Sequence, residues 1–259
     1  MARLACCKMK IQAVTSFNQQ YYDTIGKQCV ESWLQHWPAE CALTCYVEEF
    51  DFAATDPRLT KVSFDQLPAE YHKFQLSEQG ARVKTFAKKA YSVIHAFEHV
   101  VADRIVWVDA DTVTHASVPW AFLQGFCPAD TLATFMGVWH NMDRHDSTSE
   151  LKFSGETGVF MVNPHHPGFA EFASRYRQYY DQQLSHNLRR FYDGEVFGAV
   201  VKELEHKYKF KDICKELRKA YNSPLRHTEL GQYMIHHKSK HSKENFVKEN
   251  QQPSNFLDV

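Results

Sequence analysis

The stretch RIVWVDADTVTH (104–115) runs an apolar segment straight into two acids separated by one residue, Asp109 and Asp111 around Ala110. The run VWV offers no polar side chain to water, so it reads as a buried strand. In an open α/β sheet, ligands bind outside the carboxyl ends of the strands, which is where this strand delivers its two carboxylates. Acids at i and i+2 repel each other, and a half-buried strand end makes the pair costly unless a cation neutralises it. Hard divalent ions with oxygen ligands, Mn²⁺ or Mg²⁺, answer that need. The bland alternative is a solvated turn carrying two surface acids.

Working outward, strand and helix signals alternate. A β-branched run at 10–18 is followed by a helical stretch from about Tyr21 to His36, stopped by Pro38. Strands at 42–47 and 60–64 precede a long helix at 81–100, in which Val83, Phe86, Ala87, Ala90, Ile94 and Phe97 repeat at helical spacing as a core stripe. Beyond the acid pair come a helix at 118–124, a strand at 131–138, a polar loop at 139–149, a strand near 157–162 and a helix at 167–182. A mostly helical, basic stretch at 194–220 and a short apolar patch, YMI, at 233–235 complete the pattern. Such alternation predicts an α/β fold with a mixed sheet flanked by helices. No repeat or Gly/Ser linker divides the chain, so one domain over 1–245 with a loose tail at 246–259 is expected.

The 259 residues are 44% apolar and 24% charged, enough to bury a real core and incompatible with a disordered tail. Thirty basic against 31 acidic side chains leave a formal charge of −1, which gives no reason to expect nucleic acid as a partner. No stretch approaches the ~18 uninterrupted apolar residues of a membrane span, and MARLACCKMK is too charged for a secretory leader. A cytoplasmic protein with no integral membrane segment is expected. Seven scattered cysteines fit reduced thiols better than a disulfide framework. Cys41 and Cys45 fall on one face of a strand and read as buried apolar residues rather than zinc ligands. Fifteen histidines are the compositional excess.

Two enzyme classes place acids in this way. The letters DADTV match the nucleophile motif of haloacid-dehalogenase-type phosphatases, but there the motif lies on the first strand and a GDxxxD-like pair follows; here at least two strands precede it and no such pair follows. The chain instead resembles nucleotide-sugar-dependent glycosyltransferases of the GT-A type, in the glycogenin-like and galactosyltransferase-like branch. The resemblance lies in AVTSFN, FAKKAYSVIHAFE, IVWVDADT, GETGVFMVNPHHPGF, FYDGEVF and IHHKSK.

That resemblance implies a Rossmann-like mixed sheet and a donor diphosphate held through a divalent ion. Asp111 is implied as the direct metal ligand, and Asp109 as the residue meeting metal or ribose. His236 takes the place of the C-terminal metal ligand, with His237 as rival because Ser239 replaces the family's glycine. Lys238, and further on Lys240, face the phosphates. Thr15 and Asn18 lie where similar enzymes cradle the nucleoside. Lys89 sits at the edge of its helix's core stripe and reaches either a phosphate or simply the surface, whereas Lys84 and Lys88 point away. Asp193 either caps a helix or faces the donor sugar, with Glu195 as the alternative if the register differs by one turn, and Glu156 binds sugar hydroxyls or an acceptor. The loop residues His140, Asn141, Asp143, Arg144 and His145 are candidate acceptor contacts.

The implied reaction moves a hexosyl group from a nucleoside diphosphate sugar, a UDP-sugar by preference, to a hydroxyl acceptor such as a glycan. Asp193 or Glu156 serves as general base if configuration inverts, or shields an oxocarbenium-like sugar if it is retained. The rival readings are the phosphatase with Asp109 as nucleophile and a binding module without catalysis.

Overall fold

A computed structural model describes residues 9–78, 80–139, 153–188, 192–214 and 224–238. Strand β1 (Ile11–Asn18) leads through a short helix α1 (Gln19–Tyr21) and a widened π turn (Tyr22–Gly26) into helix α2 (Lys27–His36). Cys29, Val30 and Trp33 form its buried face, continued by Ile25 of the turn before it, and the buried Trp37 caps its end. Strands β2 (Cys41–Glu48) and β3 (Leu59–Ser63) follow, then helices α3 (Ala69–Ser77) and α4 (Ala81–His99). Strand β4 (Arg104–Val108) is buried along its whole length; its apolar run requires this, and Arg104 at its start is satisfied by the Cys127 carbonyl at 2.8 Å and Asn163 Oδ1 at 3.0 Å.

After β4 come β5 (Thr112–Thr114), α5 (Trp120–Phe126), β6 (Ala133–Trp139), β7 (Phe153–Val162), α6 (Phe169–Asp181), α7 (Asp193–Leu204), β8 (Phe210–Asp212) and β9 (Met234–His236). Seven strands among the described residues form one sheet in the order β3-β2-β1-β4-β7-β6-β8. Neighbours from β3 to β4 are parallel, whereas β7 runs antiparallel to both β4 and β6. Each face of the sheet carries its own core. Helices α3, α4, α6 and α7 bring Phe74, Tyr91, Tyr176 and Phe197 to one side. Trp33 of α2 and Phe126 of α5, with Leu225 and Leu230 of the C-terminal 3₁₀ turns, fill the other.

A separate two-stranded sheet decides where function can sit. Strand β5, just past the acid pair, pairs antiparallel with β9, with Thr112 opposite His236. The chain thereby returns across 120 or so residues to the end of β4.

Several elements differ from the sequence pattern. Helix α3 is not signalled by the pattern, because Tyr71 and Phe74 are its only buried residues and give too little periodicity. Of the basic stretch expected to be helical to 220, the described residues form a helix to Leu204 and then an edge strand, Phe210–Asp212, beside β6; 215–220 lie outside the described residues. Asp212 fixes that edge by accepting from the backbone N–H of Gly137 at 2.7 Å and of Cys214 at 2.8 Å. A Cβ at Gly137 would lie 2.3 Å from the Asp212 carboxylate, so the close approach requires glycine. Strand β7 begins four residues before the expected 157, which places GETGVF in mid-strand. The loop residues His140 to His145, Ser239, Lys240 and the tail at 246–259 lie outside the described residues.

Candidate active site

Asp109 and Asp111 stand at the carboxyl end of β4, on a backbone tied down on both sides. The Asp109 N–H donates to the Gly158 carbonyl at 2.8 Å, and the His237 N–H donates to the Asp111 carbonyl at 2.8 Å. Each carboxylate has one oxygen held by the protein. Asp109 Oδ1 accepts from Trp107 Nε1 at 2.6 Å and from Lys89 Nζ at 2.6 Å, and Asp111 Oδ2 accepts from the Tyr21 hydroxyl at 2.7 Å. The other oxygens turn toward His236: its Nε2 is 2.9 Å from Asp111 Oδ1 and 3.5 Å from Asp109 Oδ2.

Two carboxylate oxygens and one imidazole nitrogen thus converge at the strand end, and among the described residues this is the group of acids, histidines and cysteines that could hold a metal ion. The donor set fits Mn²⁺ or Mg²⁺, the imidazole favouring the softer Mn²⁺. His236 rather than His237 joins it. The other His236 nitrogen, Nδ1, is buried without a hydrogen bond and lies 3.6 Å from Glu156 Oε1. Glu156 is bonded in turn by Lys238.

Lys89 enters from α4 behind the acids. Its ammonium meets Asp109, Asp193 Oδ2 at 2.7 Å and the Thr157 carbonyl at 2.7 Å, above the Trp107 ring. Asp193 is not a helix cap: Tyr192 occupies the cap position of α7, and the Asp193 carboxylate instead accepts from Lys89 and the Thr157 hydroxyl. Gly194 makes this possible, since a Cβ there would stand 2.1 Å from the Gly155 carbonyl oxygen. Glu195 is buried beside it.

Burial pushes the Asp109 carboxyl up; Lys89 and His236 draw it back only in part, and Asp111 and Asp193 add to the rise. Burial would also raise Asp193, but the Lys89 charge and the hydrogen bonds from Lys89 and Thr157 outweigh it and hold the group below its ordinary range. Burial works against the charged forms of Lys89 and His236, yet the acids facing them raise both. Tyr21 is pushed up by burial and then by Asp111, so it stays a donor. The cluster carries more negative charge than its own cations balance comfortably.

Two cavities meet at Asp109, Asp111 and Asp193. One, of about 330 Å³, is walled by Asn18, Tyr21, Glu48, Phe64 and Trp107. The other, of about 460 Å³, is walled by Arg82, Glu156, Tyr192, Glu195 and Lys238. Ala110 lines the first cavity. Asn18 lines it too, while its side chain accepts from the Tyr21 N–H at 2.8 Å. Thr15 is fully buried in β1 and lines neither cavity; Ser16 takes the exposed place beside it. Lys88 also lines the first cavity instead of facing away, held by Glu48 at 2.6 Å. Tyr21 and Trp107 were missed by sequence reasoning, since an aromatic in a helical turn or a buried strand looks like packing. Thr157 could have been found from its place between two glycines.

This sheet order, with an antiparallel strand beyond the acid-bearing one and a C-terminal strand returning to it, is the GT-A glycosyltransferase fold. Among solved structures the chain is similar to mouse xyloside xylosyltransferase 1 in its apo form, with a TM-score of 0.51 and 14% identity over 79% of this chain and 86% of that one. It is also similar to the apo-form glycosyltransferase GlyE of Streptococcus pneumoniae TIGR4, with a TM-score of 0.48 and 9% identity over 78% of this chain. The chain spans 45% of the GlyE chain's length. No protein-family model and no curated protein matches the sequence.

Proposed function

We propose that the protein is a metal-dependent glycosyltransferase that moves a hexosyl group from a nucleoside diphosphate sugar, a UDP-sugar by preference, to a hydroxyl acceptor such as a glycan. The observation that carries this reading is the convergence of Asp109 Oδ2, Asp111 Oδ1 and His236 Nε2, each carboxylate tethered by its other oxygen. Acids anchored in this way are already arranged for a cation and need no rearrangement to receive one.

Asp109, Asp111 and His236 would hold Mn²⁺ or Mg²⁺, which when bound neutralises the diphosphate and the charge on the departing nucleotide. The cavity at the end of β1 would take the nucleoside, against Asn18 and Tyr21, with Ala110 beneath the ribose. Lys238 would exchange Glu156 for a phosphate oxygen. The second cavity would take the transferred sugar and the acceptor. Asp193, kept ionised by Lys89 and Thr157, supports a sugar with oxocarbenium character, and Glu156 is the acid placed to meet an acceptor hydroxyl. Asp109 suits a phosphatase nucleophile poorly, because one of its oxygens is already bonded to both Trp107 and Lys89. No described helix is long and apolar enough to cross a membrane.

A thermal-shift series of UDP, GDP, CDP and ADP with and without Mn²⁺ tests the reading. A rise in Tm is expected for UDP with Mn²⁺ and none for UDP alone; silence from all four nucleotides would remove the support. Robust turnover of an aryl phosphate would favour the phosphatase instead.

Gly158→Ala probes the His236 placement. A Cβ at Gly158 would fall 2.5 Å from His236 Nδ1, so the imidazole must move. Mn²⁺ affinity is expected to drop by about 10–100-fold, as for loss of a ligand-orienting contact. Calorimetric titration showing wild-type affinity would mean that His236 is not a ligand.

A further inference from the structure

Away from the cleft, the last turn of α4 carries His95 and His99 one helical turn apart. Their imidazole rings stack with centroids 4.0 Å apart and planes within 13° of parallel. Both Nδ1 atoms are already engaged. His99 Nδ1 lies 2.9 Å from the carbonyl oxygen of His95, which can only accept, so this nitrogen carries the hydrogen and the neutral ring keeps its lone pair on Nε2. His95 Nδ1 lies 2.8 Å from the Tyr46 hydroxyl, which can accept from an Nδ1–H. Burial, and then the neighbouring His99, hold the His95 imidazole below its ordinary range, so it is neutral at pH 7.

A ligating histidine is usually held in this way, one ring nitrogen donating to a carbonyl or hydroxyl while the other faces the metal. The segment reads His-Ala-Phe-Glu-His, the His-x-x-Glu-His order that places two zinc ligands on one helix face in a class of metallopeptidases. The catalytic parts of such a site are missing here. Glu98 is bound by Arg177, and no third acid, histidine or cysteine joins the pair among the described residues. What is left is the ligand spacing.

We propose that His95 and His99 form a second metal site, taking Cu²⁺, Ni²⁺ or Zn²⁺ through their two Nε2 atoms, with Tyr46 and the His95 carbonyl setting the tautomers that leave those nitrogens free to bind. An ion bonded at about 2.0–2.1 Å to each nitrogen needs them within about 4 Å of one another and in the plane of each ring, so the two stacked rings must tip apart at their Cβ–Cγ bonds for both lone pairs to converge on the ion. Imidazole pairs select these ions over Mn²⁺ and Mg²⁺, so the site is chemically distinct from the acid-rich cleft and independent of the proposed transfer reaction. Bound metal would clamp the C-terminal turn of α4.

Electron paramagnetic resonance of the full chain titrated with Cu²⁺–iminodiacetate tests this, because the chelate leaves coordination positions for two adjacent imidazoles. One equivalent with two nitrogen couplings is expected. His95→Gln and His99→Gln should each weaken its binding by at least about tenfold, as loss of one of two ligands requires. His236→Asn should leave it intact. Melting curves in EDTA establish that each variant is folded, and Zn²⁺ should raise the Tm of wild type but not of His99→Gln. Absence of a two-nitrogen signal in wild type, its persistence in His99→Gln, or its loss in His236→Asn would each overturn the proposal.

Discussion

Replacing Lys89 by methionine is expected to destabilise the protein by about 3–5 kcal/mol, the usual effect of removing one partner from a buried ion pair. Methionine preserves the stem that lies against Trp107 but withdraws the ammonium that touches both Asp109 and Asp193. Asp193 is buried and Asp109 half-buried, so neither regains full hydration once the ammonium is gone. For a chain of this length the loss corresponds to a fall in Tm of roughly 6–20 °C, measurable by calorimetry in EDTA.

The pH dependence carries a sign that separates this cause from lost packing. In wild type, Asp193 is held below its ordinary range, so its contribution to stability is present above the unfolded carboxylate pKa and disappears as pH falls through the folded one. Without Lys89, burial is opposed only by the hydrogen bonds from Thr157 and the Gly194 N–H, and the Asp193 carboxyl rises relative to wild type. The variant should then gain on wild type as pH falls from 7 to 5, because protonation removes the unpaired charge. A deficit equal at both pH values would point to packing, and a Tm within 2 °C of wild type would show that Lys89 does not neutralise the acids.

Asp111→Asn is expected to abolish metal-dependent nucleotide binding while sparing the fold. Asparagine keeps the shape and can still accept from the Tyr21 hydroxyl, but it withdraws the charge that faces His236 Nε2 at 2.9 Å. Mn²⁺ affinity should fall by more than the 10–100-fold typical of an outer partner, since a direct ligand is lost. In the absence of metal the Tm should hold or rise, because one of several crowded carboxylates has gone. Binding of UDP with Mn²⁺ at wild-type affinity would exclude Asp111 as a ligand, and a collapse of Tm in EDTA would make its role structural instead.

Parts of this architecture are legible from short stretches of chain. The core stripe of α4, the buried β4 and the acids at its end follow from 3.6-residue periodicity, an unbroken apolar run and the repulsion of i, i+2 carboxylates. Each is a property of neighbours in sequence. Helix α3 and strand β8 escape the same reading because two buried residues in nine, or three residues at a sheet edge, leave no period to detect. The resemblance to GT-A enzymes directed attention to His236, Lys89 and Asp193, but each kept a rival reading.

The rivals were resolved by packing. Whether Lys89 snorkels or turns inward depends on Asp193, which lies more than a hundred residues away and is brought near by the packing of α4 and α7. Helix α7 takes Tyr192 as its cap, which releases Asp193 for the ion pair. The pairing of β5 with β9 sets His236, not His237, opposite Thr112 and against the acids. By itself the sequence determined that two carboxylates end a buried strand, where like charge is costly to leave without a partner, because that follows from covalent spacing and the cost of burying like charge. Which imidazole, ammonium and phenol meet them was decided only by the tertiary structure. Contacts across such sequence separations are set by strand register and helix packing, and no local pattern encodes those.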